Sequence, residues 1–138
     1  MAERVAEIGA RRFAVTAGAG TLRAAEGVTL PHAWTDEGVS VVTDFTGAHL
    51  LHLAVAACVL NDLYREAAEA GVLLHGVEVR ADGDFDADTW SSNGIGYAVR
   101  LDTSAGDDEV AALLARVDEV AEIPRTVRAG ASVRRVKD

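Results

Sequence analysis

The chain holds a single cysteine, Cys58, in 138 residues. One thiol cannot close an internal disulfide, so no disulfide framework shapes this fold, and the composition suits a reducing compartment. Aromatic residues make up only 5%, which leaves the core to Val, Leu and Ala. Lysine is nearly missing too: of 13 basic residues, only Lys137 is not arginine. With the excess of Ala, Val and Gly, that bias is the mark of a GC-rich genome, codon pressure before function. Surplus positive charge is also lacking. The formal charge is −9, which repels phosphates, so no nucleic-acid partner is expected. The longest apolar run, Leu50 to Leu60, is too short for a bilayer span and contains His52, so no membrane is expected either. The stretch from Met1 to Glu7 alternates in charge and has no apolar signal region, and a cytoplasmic location follows as the expectation. Gly18 to Gly20 forms neither a phosphate loop nor a dinucleotide fingerprint, and no nucleophile-elbow serine occurs.

What is present is one domain's worth of chain, 1–138, with 49% apolar residues, enough for a core of its own. Val5 to Val15 reads as a strand. Gly18 to Gly20 reads as a turn, and Thr21 to Ala25 as the strand returning from it. Val39 to Thr43 is β-branched and forms a further strand. The dominant segment is a helix from Gly47 to Ala70, capped by Asp44 or Thr46 and stopped at Gly71. Its first half is apolar nearly all round, so it lies at the centre of the fold or against a partner. Gly76 to Gly83 alternates with period two and reads as a strand. Asp82 to Asn93 is an acidic, turn-rich connection, and Ile95 to Asp102 is another strand. A second helix opens at Asp107, Asp108 and Glu109, where acids suit the helix dipole, and ends at Pro124. Thr126 to Val136 alternates apolar and basic residues and reads as a last strand. The class is α+β, with an antiparallel or mixed sheet around a long helix.

The polar residues in the apolar helix are the candidates for chemistry. Cys58 is either a small core residue or the reactive thiol of a pocket. His49 and His52 stand three apart and share a helix surface. They are satisfied structural residues, acid–base groups or contacts to a ligand. A metal would need a third ligand, for which His32 and His75 stand only by elimination, so neither metal nor cofactor is expected. Trp34 covers a pocket mouth or caps the core, and Trp90 is a lid or a partner contact. The acidic run from Asp82 to Asp88 lacks the spacing of a calcium loop.

Two segments carry a resemblance. One is the helix with Leu50 and Leu51 followed by an alanine-rich stretch ending at Cys58, then the Gly71 stop and the alternating strand from Val77. The other is Glu122 to Thr126 with Pro124 in it. Over Phe45 to Val136 the chain resembles the OsmC/Ohr superfamily, the osmotically inducible proteins and organic hydroperoxide reductases. The resemblance implies an OsmC-like α+β fold, an intertwined homodimer with two long helices at its centre, and thiol pockets at the subunit interface. It also implies roles. Cys58 matches the family's peroxide-attacking cysteine, but the resolving cysteine falls on Ile123, and the family's glutamate ten residues before the thiol falls on Ala48. The family's arginine has no motif to fix it; Arg23 is the candidate by region. His49 and His52 stand where the family carries glutamate or alanine. A thiol with neither resolving mate nor activating cation cannot run the two-cysteine cycle. The expectation is therefore a repurposed enzyme on an apolar pocket at the dimer interface. Catalysis would fall to Cys58, His52 and His49, and substrate contact to Trp34, Leu51, Val55 and Arg23. The substrate would be a hydrophobic or aromatic organic molecule, a secondary metabolite for example, changed by proton transfer or oxidative cyclisation. The alternatives are a one-cysteine organic hydroperoxide reductase that uses an external thiol, and a non-catalytic binding protein.

Overall fold

The structure, a computed structural model, describes residues 12–137. Five strands form one antiparallel sheet in the order β2-β3-β1-β4-β5: β1 Val15–Gly20, β2 Val28–Leu30, β3 Val39–Val42, β4 Gly76–Phe85 and β5 Ser92–Asp102. Among the described residues three helices accompany it: α1 Gly47–Ala70, α2 Asp107–Val120 and α3 Glu122–Ala129. Alternate residues of β1 and β4 turn to one face, and Val15, Ala17, Ala19, Val77, Val79 and Ala81 are all at most 2% exposed there. Small side chains on β1 let α1 sit close against this face, so that Ala56, Val59, Leu60 and Leu63 complete the core. From the other side Leu113 and Val117 of α2 close it.

α1 has the length and apolarity of a membrane span. One face of it is nevertheless spent on the core, and it carries His52 and Asp62 buried against the rest of the chain. Thr46 caps its start, the hydroxyl accepting from the His49 amide at 3.1 Å. Gly71, at φ 72°, ends it in the left-handed conformation expected of a C-terminal stop.

Four expectations are corrected. Gly18–Gly20 is not a turn: β1 runs through it, paired with β3 and β4, and Gly18 is needed because a Cβ there would stand 2.5 Å from the Leu22 carbonyl oxygen. The turn comes afterwards, with Leu22 and Arg23 donating to Ala19 and Gly20, so Thr21–Ala25 is not a strand and the edge strand is β2. Pro124 does not end the second helix. It sits in the first turn of α3, where a missing N–H leaves no hydrogen bond unmade. The final strand is also absent: Thr126–Ala129 belong to α3, and residues 130–137 have no regular structure. Ile123, Pro124 and Val127 turn to the protein while Arg125, Thr126 and Arg128 are exposed, a helical spacing that a short alternating stretch also imitates. The sheet is wholly antiparallel, and the expected first strand survives at its end, Val15, the residues up to 11 lying outside the described ones.

Candidate functional site

Cys58 lies in the fourth turn of α1, half-buried, where α1 meets the start of α3. Burial pushes its thiol above the ordinary value. The backbone amides of Ile123 and, more weakly, Glu122 face the sulfur and oppose this, as amides at a helix start do. The carboxylates of Asp62 and Glu122 add to the rise. Asp62 is one turn along α1, its Oδ2 at 3.8 Å from Sγ. Its Oδ1 pairs with Arg65 at 3.2 Å. The groups facing the sulfur are thus two acids and two amides. Among the described residues a cation bears on it only through Asp62.

His49 and His52 are elsewhere. Six residues separate His52 from Cys58, which is about 9 Å along the axis and roughly 120° around it. His52 is fully buried, with Nδ1 donating to the Ala48 carbonyl at 2.6 Å. Its ring stacks parallel to Phe13 at 6.4 Å and meets Phe85 edge-on at 6.3 Å. Phe13 adopts φ 60° to reach this place, a conformation that costs a non-glycine residue about 1–3 kcal/mol. His49 belongs to the helix start: Nδ1 is 2.6 Å from the Thr46 hydroxyl, and Nε2 faces Asp44 at 3.8 Å. Both histidines are engaged with the chain's own groups, and within one protomer neither joins Cys58.

The residues expected to touch substrate separate into two places. Arg23 and Trp34 line a cleft of about 550 Å³ with Tyr64 and His75, and Arg23 donates to the Glu37 carbonyl at 2.9 Å. Val55, 3% exposed, lines a second cavity of about 300 Å³ with Ile95, Tyr97, Pro124 and Val127, and Arg128 stands at its polar edge. Tyr97 donates to Asp118. Leu51 is half-buried on α1 and lines neither. Trp90 is 84% exposed at the β4–β5 turn.

The position that would carry a resolving cysteine, Ile123, brings its backbone directly to Cys58. Residues 41–135 match the model of a protein family described as OsmC-like protein. The chain belongs to the OsmC-like protein family. Solved structures agree with the fold. An OsmC-like protein from Mycoplasma pneumoniae is 12% identical, with a TM-score of 0.58 over 67% of this chain and 80% of that one. An OsmC-like hydroperoxide resistance protein from Jannaschia sp. CCS1 is also 12% identical, with a TM-score of 0.54 over 91% and 93%. No curated protein sequence matches this OsmC-like chain significantly.

Sequence reasoning missed the two carboxylates on the thiol. Asp62 did carry a signal, a charged residue four after Cys58 on the same apolar stripe. Glu122 carried none, because only the packing of α3 against α1 brings it there.

Proposed function

We propose that this OsmC-like chain binds a hydrophobic or aromatic organic molecule as a homodimer and has left the two-thiol peroxide cycle. The observation that carries the reading is the company Cys58 keeps. A peroxide-attacking sulfur works as thiolate, which a nearby cation favours. Here the side chains facing it are Asp62 and Glu122, and isoleucine stands where a resolving thiol would be needed. Loss of that chemistry leaves the apolar cavity at Val55, Tyr97, Pro124 and Val127 as the place for a ligand. Ala54 and Ala57 on α1 are exposed, and Phe45 just before it is 88% exposed. Apolar surface of that kind on a central helix fits a second copy. The reading stops at binding, since His49 and His52 are occupied by the helix cap and the core.

The test is binding by the intact dimer. The chain should sediment at twice its 14.5 kDa mass, and a hydrophobic fluorescent probe should bind it saturably. Val127→Trp, which fills the cavity from a half-buried position, should weaken the probe at least tenfold while the dimer persists. A monomer, or unchanged binding in that variant, contradicts the reading.

A second reading has its own observation. The amides of Ile123 and Glu122 directed at Sγ would stabilise a thiolate or a sulfenate, as a one-cysteine hydroperoxide reductase with an external thiol requires. Trapping of a sulfenic acid at Cys58 after one equivalent of alkyl hydroperoxide would favour it.

A further inference from the structure

The arrangement around Cys58 disfavours a thiolate, but it has the makings of a ligand set. Sγ of Cys58 and one carboxylate oxygen each from Asp62 and Glu122 lie within 4.8 Å of one another. Cys58 and Asp62 are four apart on α1 and so stack on one face. Glu122 comes from the first turn of α3, across the gap between the helices.

Asp62 supplies an independent indication. Its side chain is 1% exposed, and Arg65 engages only Oδ1. Oδ2 is aimed at the sulfur, and the thiol at 3.8 Å is its sole partner among the described residues. That thiol hydrogen bond is long and weak, a poor partner for a buried carboxylate oxygen. The spacing suits something else. Zinc bonds of about 2.3 Å to sulfur and about 2.1 Å to oxygen, at a tetrahedral angle, set the two ligand atoms about 3.6 Å apart. The pair therefore already has the bite of a metal chelate. Glu122 is exposed and can turn in as the third ligand.

We propose that Cys58, Asp62 and Glu122 form a three-ligand site for a divalent transition metal of the zinc class, with a fourth position open. The site rests on this geometry and not on the ligand reading above. On binding, the cation displaces the thiol proton to solvent and a metal–sulfur bond forms; both carboxylates bind as anions, and no electrons are transferred. One thiolate selects zinc or cobalt over magnesium and calcium, which prefer oxygen alone. Arg65 on Oδ1 fixes the Asp62 carboxylate as an outer partner does in such sites. The apolar cavity starts nearby, since Val55 lies one turn before Cys58 and Pro124 two residues after Glu122.

The experiment is a titration of the chelator-stripped full chain with Co²⁺. One equivalent should produce a thiolate-to-cobalt charge-transfer band, and Zn²⁺ should bleach it while Mg²⁺ does not. Cys58→Ser should abolish the band. Glu122→Gln, at an exposed position, should weaken binding roughly tenfold or more. Asp62→Asn should do the same. A wild-type chain without the band, or Glu122→Gln with undiminished affinity, would overturn the proposal, and the latter stands even if Asp62→Asn fails to fold.

Discussion

At the scale of single residues, Cys58 shows how neighbours decide what a side chain can do. Its thiol is raised above the ordinary value of 9.0, first by burial and then by Asp62 and Glu122, against the amides of Ile123 and Glu122. Arg65, on the far oxygen of Asp62, offsets part of that acid charge. With chelator present, the alkylation rate of Cys58 should therefore rise at higher pH than that of a free thiol, and Glu122→Gln should move the midpoint down. A midpoint at or below the free-thiol value would refute this. The sign carries over to stability. The folded state holds the thiol proton more tightly, so the thiol's contribution to stability falls as pH rises past about 9.0, and Cys58→Ser should lack that slope. In the sequence Cys58 and Ile123 were legible because a motif fixes their places. Its acidic company was not, since Glu122 reaches the thiol only through the contact between two helices.

Among the elements, legibility followed the length of the pattern. α1 could be read almost to the residue, because its apolar run, the Thr46 cap and the Gly71 stop all agree. The short pieces were ambiguous. Gly18–Gly20 looks like a turn when read alone, and only its pairing with β3 and β4 makes it strand. Thr126–Val136 alternates well enough for a strand, yet Ile123 and Val127, four apart, decide for α3. The packing of α1 on β4 makes a further demand that the sequence does not announce. A Cβ on Gly83 would stand 2.5 Å from Nε2 of His52 and equally close to the Gly94 carbonyl. Gly83→Ala should cost about 1–3 kcal/mol in urea unfolding. The loss should shrink in a His52→Ala background, which removes one of the two clashes. Equal losses in both backgrounds would show that the imidazole is not packed against this strand.

For the whole molecule, the family and its fold stand on residues 41–135 and on the likeness to two solved OsmC-like structures. The class and order of most elements were readable, because a central apolar helix flanked by alternating strands allows few other arrangements. Function was less readable, since it depends on groups lost as much as on groups present. The central claim is that a sulfur faced by two carboxylates, without a second thiol, does not cycle peroxides. The direct measurement is steady-state turnover of an alkyl hydroperoxide by the purified, chelator-stripped protein with a dithiol as reductant. The account predicts no turnover above the uncatalysed reaction, the same as for Cys58→Ser. Sustained multiple turnover that disappears in Cys58→Ser would contradict it.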